Sequence, residues 1–159
     1  MARCTQRTRT RRILFFPDVN VWLALSDPDH IHSKAAWKWL KTAPEDRNIV
    51  FSRFTQLGLL RLLTNASVMG DRTMPLSKAW GVYDKWLEDP RVKFYPEPRN
   101  LDAAFRKMTE PFAAQPATKA VGDCFLLASA KEVQATLVTF DQGLDRLARK
   151  YGHGAVIPA

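Results

Sequence analysis

Short apolar runs closed by prolines, glycines and acidic residues alternate along the chain with longer segments of helical periodicity. Residues 13–16 are continuously apolar and stop at Pro17 and Asp18, the pattern of a strand buried on both faces. Residues 19–25 are apolar again. Asp27-Pro28 then sets a cap-like residue before a proline, which predicts a helix over about residues 28–41 that buries Ala36, Trp37, Trp39 and Leu40. Residues 49–52 predict a second strand, with Ser52 or Thr55 capping the helix that follows. Its leucines, Leu57, Leu59, Leu60, Leu62 and Leu63, cover most of the circumference, so this helix should pack on several sides, with Gly58 permitting a close approach.

From about residue 75 to 88, Leu76, Ala79, Trp80, Tyr83, Trp86 and Leu87 recur at amphipathic spacing. The aromatic residues are expected in the core, the alternative being a partner-facing surface. A third strand is predicted over residues 92–95 and a helix over about 101–108. Residues 111–122 read as a loop able to line a cleft, after which Asp123 opens a helix through Phe125, Leu126, Leu127 and Ala130. A fourth strand over residues 135–140 ends at Asp141, then come a short helix with Leu144, Leu147 and Ala148 and a last strand at 156–157. Apolar strands alternating with helices imply parallel pairing through right-handed crossovers. The expected class is therefore α/β, with a mostly parallel four- to five-stranded sheet covered on both faces.

The chain has 159 residues, of which 46% are hydrophobic and 25% charged, which suits one core. No stretch approaches the roughly 18 apolar residues of a membrane span. The net charge is +8, and Arg3, Arg7, Arg9, Arg11 and Arg12 supply five of those charges. The expected organisation is a basic arm over residues 1–12 and a single, mildly basic domain over 13–159. The arm is either a flexible terminus or a contact for a polyanion. Arg11-Arg12 precedes an apolar run as in a twin-arginine signal, but the run stops short of the roughly 7–15 residues that export needs, so a cytoplasmic location is expected. Cys4 and Cys124 form no disulfide framework; Cys124 reads as a small core residue and Cys4 as an idle thiol. His30, His32 and His153 make no zinc-ligand pattern.

In open parallel sheets, ligands bind beyond the carboxyl ends of the strands. Asp18 and Asp141 follow apolar strands, Asp123 opens a helix, and Gln56 begins the helix after the second strand. Each has a structural alternative: Asp18 and Asp123 could cap helices and Asp141 could start a turn. Brought together, the carboxylates would repel one another unless a cation joined them, which points to Mg2+, or Mn2+, held through oxygen. The matching chemistry is phosphodiester hydrolysis by a metal-activated water. Arg53 and Arg61 could hold backbone phosphates at the rim, or Arg61 could pair with a structural carboxylate. No GxGxxG, GxxxxGK[ST] or GxSxG is present, and Asn20 stands where an aspartyl-phosphate phosphatase usually carries a second acid.

Phe16-Pro17-Asp18-Val19-Asn20-Val21-Trp22-Leu23-Ala24-Leu25, the helix from Thr55 to Asn65, Gly122-Asp123 and Thr139-Phe140-Asp141 occur in order and at matching spacing. Together they resemble a PIN-domain ribonuclease, above all the VapC-type toxins of bacterial toxin–antitoxin systems. The resemblance implies an α/β/α sandwich acting as a Mg2+-dependent endoribonuclease on RNA, blocked by a cognate antitoxin and commonly a homodimer. It assigns acidic metal-binding and catalytic positions to Asp18, Asp123 and Asp141. The family's second acidic position, often Glu, falls on the neutral Gln56, while Asn20 and Thr139 match supporting polar positions. Val121-Gly122 stand where a larger aromatic and a hydroxyl residue are common. The alternative is a catalytically weakened PIN-fold module that binds RNA or protein.

Overall fold

Alternating burial along each strand explains how the sheet comes to be covered twice. In the computed structural model, which describes residues 14–159, β1 (Leu14–Pro17) sends Leu14 and Phe16 to one face and Phe15 to the other. The basic arm and Cys4 lie outside the described residues. β2 (Asn48–Phe51) likewise splits Ile49 and Phe51 from Val50, and β4 (Ala135–Val138) splits Leu137 from Val138. With β3 (Val92–Phe94) and β5 (Ala155–Val156) they form a parallel sheet in the order β3-β2-β1-β4-β5.

The connections divide between the two faces. Helices α1 (Val19–Ser26), α2 (Ser33–Thr42), α3 (Arg53–Leu63) and α5 (Leu76–Leu87) bury one cluster, in which Trp22 stacks on Phe51 with ring centroids 3.7 Å apart. The short α4 (Ala66–Met69) adds Met69 to it. Helices α6 (Leu101–Thr109), α7 (Thr118–Glu132) and α8 (Gln142–Lys150) bury the other, around Phe16, Leu127, Leu137 and Leu144. The α/β/α sandwich expected from the sequence is the architecture observed. Strands β2 and β3 extend the sheet on one side of β1 and β4 and β5 on the other, so strand order reverses at the β1/β4 junction, where parallel sheets open a crevice.

Several expected elements start elsewhere. The run over residues 19–25 is helix α1, whose lack of a polar face follows from the complete burial of Val21–Leu25. The helix expected from residue 28 begins only at Ser33, because Asp27 accepts the Asp29 N–H and pairs with Arg72, holding residues 27–32 in turns. Trp37 then faces outward, 41% exposed, and Leu57 and Trp80 are also exposed. The region expected as a loop up to residue 122 is partly helical. Residues 110–112 make a 3-10 turn, and α7 begins at Thr118, just after Pro116 and Ala117. Proline disfavours helix in the residue before it, so Pro116 keeps Gln115 out of a helix and separates the 3-10 turn from α7. Asp123 consequently lies in the second turn of α7 and caps nothing. The fourth strand also stops early, at Val138, leaving Thr139 and Phe140 to turn the chain into α8. Among the described residues, no helix is long and apolar enough to cross a membrane.

Gly58 has the role its spacing suggested. A Cβ there would stand 2.5 Å from Cγ2 and 2.8 Å from Cγ1 of Val19. Helices α1 and α3 touch at this point, one residue beyond Asp18.

Candidate active site

Asp18 occupies the end of β1, where its backbone N–H still bonds the Val138 carbonyl at 2.9 Å. Its side chain caps α1, Oδ1 accepting the Val21 N–H at 3.0 Å, so the capping alternative for this residue is the one the structure shows. The other oxygen accepts the hydroxyl proton of Thr139, itself fully buried at the end of β4. Thr139 Oγ1 in turn accepts the Asp141 N–H at 2.9 Å. With that N–H pointing at the hydroxyl oxygen, the hydroxyl proton is directed at Asp18, and three groups from the β1/β4 junction become one hydrogen-bonded chain.

Asp141 caps α8, Oδ1 accepting the Gly143 N–H at 2.7 Å and the Leu144 N–H at 3.1 Å. Its Oδ2 meets the Lys119 ammonium at 2.9 Å. Lys119 and Asp123 lie one turn apart on α7, and both are electrostatically coupled to Asp141. Burial drives Asp18 up from 3.8 to about 6, against the opposing hydrogen bonds from Thr139, Val21 and Asn20, while Asp141 adds repulsion. Burial also raises Asp123, with Lys119 opposing and Asp141 reinforcing the shift. Asp141 goes the other way, lowered chiefly by its hydrogen bond with Lys119.

The supporting residues divide. Gln56 is buried, but its Oε1 accepts from Arg53 Nη1, and Arg53 lies over the Phe94 ring at 4.7 Å, so the two are engaged with each other and with the β3 edge. Asn20 contributes a backbone N–H to Asp18, and with Arg61, Gly58 and Asn65 it lines a crevice of about 620 Å³ beside the α1/α3 contact. Sequence reasoning missed Lys119. Its i, i+4 relation to Asp123 puts the two on one helical face, a signal that disappears if residues 111–122 are read as a loop.

A comparison with protein families decides the classification: the PIN domain model matches residues 15–150. The chain belongs to the PIN-domain family. It is 39% identical over 128 residues to Ribonuclease VapC41 of Mycobacterium tuberculosis, an alignment covering 78% of this chain and 86% of that protein. Ribonuclease VapC39 of the same species is 29% identical over 136 residues, covering 80% and 88%. Among solved structures, VapBC2 from Rickettsia felis bound to a promoter DNA fragment has a TM-score of 0.66 at 13% identity, over 91% of this chain and 98% of that one. Mycobacterium tuberculosis VapC20, described as a sarcin-ricin loop cleaving toxin, has a TM-score of 0.61 at 16% identity, over 83% and 93%. At such identities the structural likeness concerns the fold, and the relationship to VapC ribonucleases rests on the sequence match.

Among the described residues, no group of three or more His, Cys, Asp and Glu side chains stands ready to hold a metal ion. The donors nevertheless suit a hard divalent cation in kind. They are carboxylate and hydroxyl oxygens, the buried Asp18 is destabilised in its charged form, and a cation, the Lys119 ammonium, already sits on Asp141.

Proposed function

We propose that this PIN-domain chain is a divalent-metal-dependent endoribonuclease, the toxin of a toxin–antitoxin pair, acting at the β1/β4 junction. The observation carrying the reading is the Asp18–Thr139–Asp141 chain at the reversal of strand order, in a sequence 39% identical to a VapC ribonuclease. Asp18, Asp123 and Asp141 would hold Mg2+ or Mn2+. When bound, the ion supplies Lewis-acid polarisation of a phosphoryl oxygen and lowers the pKa of water.

The protein's own part is positional. Thr139 fixes the Asp18 rotamer, and the N–H groups of Gly143 and Leu144 fix Asp141. Arg61 and Asn20 line the crevice beside α1, and there they would hold RNA backbone phosphate and 2′-hydroxyl groups. The cognate partner is an antitoxin protein, which the VapBC complexes among the structural neighbours support, and the chain itself pairs as a homodimer.

The test is RNA cleavage by purified protein with Mg2+ or Mn2+, with EDTA, and by the Asp18→Ala and Asp123→Ala variants. Cleavage that EDTA and both substitutions abolish is expected; equal cleavage by all three proteins would remove the assignment. The second reading, an RNA- or protein-binding module with a weakened site, draws on Gln56, neutral and engaged by Arg53. RNA binding without cleavage under any divalent ion would favour it.

A further inference from the structure

Lys119 occupies a position that helix stability does not explain. It is the second residue of α7, whose first turn contains no acidic residue, and a cation there opposes the helix dipole. A lysine four residues before an aspartate is also the weaker orientation of a helical ion pair. The side chain nevertheless reaches off its own helix to Asp141 on the α8 cap, Nζ 2.9 Å from Oδ2, while 70% exposed. Gly143 lies beside the contact: a Cβ there would stand 3.0 Å from Asp141 Oδ1 and 3.6 Å, an ordinary contact distance, from Lys119 Nζ. The charges facing the ammonium are Asp141, which holds it, Asp123, which attracts it, and Arg146, which repels it.

Resting on the ion-site reading above, we infer that Lys119 is a built-in counter-ion of the acidic site, holding Asp141 when no divalent ion is bound and competing with the ion for it. The ammonium relieves repulsion among the carboxylates in the ion-free protein. A divalent cation coordinated by Asp141 has to displace it, and an exposed lysine on a flexible stem can swing into solvent when displaced. Lys119 is thus a positioning residue that sets the ion concentration at which the site fills.

The experiment is Mn2+ binding to the full chain, followed by calorimetry and by the electron paramagnetic resonance signal of free Mn2+, without RNA. Lys119→Met is expected to bind Mn2+ about two- to fivefold more tightly, the range an exposed ion pair carries. Its ion-free melting temperature should fall while its gain on adding Mn2+ grows. Lys119→Arg keeps a cation on Asp141 and is expected to bind Mn2+ like the unsubstituted chain. Lys78→Met, on α5 across the sheet, removes the same charge elsewhere and should leave the affinity unchanged. Unchanged or weaker binding by Lys119→Met, or equal tightening by Lys78→Met, would overturn the inference while leaving the ion site standing. No Mn2+ binding by any of these proteins would overturn both.

Discussion

Thr139 donates its hydroxyl proton to Asp18 across 121 positions of sequence, and accepts the backbone N–H of Asp141 on the same oxygen. One buried hydroxyl therefore couples the ends of the adjacent parallel strands β1 and β4 and sets the direction of a carboxylate at their junction.

Replacing Thr139 by valine keeps the shape and removes both bonds. Leaving a buried acceptor on Asp18 and a backbone donor at Asp141 without partners should cost about 1–3 kcal/mol each where water cannot substitute. Urea unfolding of Thr139→Val should show a loss of about 2–6 kcal/mol for the two groups together, and Thr139→Ser should recover most of it. A valine variant as stable as the parent would show that the hydroxyl is not structurally engaged.

Burial makes Asp18 a destabilising charge at neutral pH. Its folded-state pKa of about 6 exceeds the unfolded 3.8, so between these values the folded chain binds more protons than the unfolded chain. The contribution from Asp18 therefore makes stability fall as pH rises through that window, by on the order of 3 kcal/mol in total. Asp18→Asn should remove this slope and gain stability at pH 7, the gain reduced by whatever hydrogen bonding to Thr139 is lost. Unfolding measured from pH 4 to 7 checks the sign: an unchanged pH slope in Asp18→Asn would contradict it.

At Gly58, two effects oppose. Alanine improves helix propensity by about 1 kcal/mol, whereas its Cβ would be driven against Val19, and overpacking typically costs about 1–3 kcal/mol. Gly58→Ala is expected to be neutral to destabilising alone. In a Val19→Ala background, where the opposing methyl groups are gone, it should become stabilising. A double-mutant cycle in thermal unfolding measures this, and additive effects would exclude the close contact as the reason for glycine.

The order of strands and helices was legible because strands buried on both faces read as unbroken apolar runs, as at residues 49–51. Helix starts were less so. Asp27-Pro28 carries the local signature of an N-terminus, but Arg72, 45 positions away, draws Asp27 into an ion pair, a tertiary partner that local patterns do not contain. Trp37 looked like core by hydrophobicity, but Ala36, Trp39 and Leu40 make the buried face of α2 and Trp37 falls beside it, half exposed. At the site, Asp18 and Asp141 stood out because each follows an apolar run; that Asp141 caps α8, two residues beyond the buried Thr139, was hidden because the strand pattern continues to residue 140. The partnership of Gln56 with Arg53, and Lys119 itself, depended on knowing where α3 and α7 begin.

The central claim, that Asp18, Asp123 and Asp141 share one divalent ion, is tested most directly by anomalous diffraction at the manganese edge from crystals grown with Mn2+. One peak is predicted among the three carboxylates, at oxygen-ligand distances, with Lys119 turned away from Asp141. A well-ordered site with no peak there, or a peak held by other residues, would contradict the account.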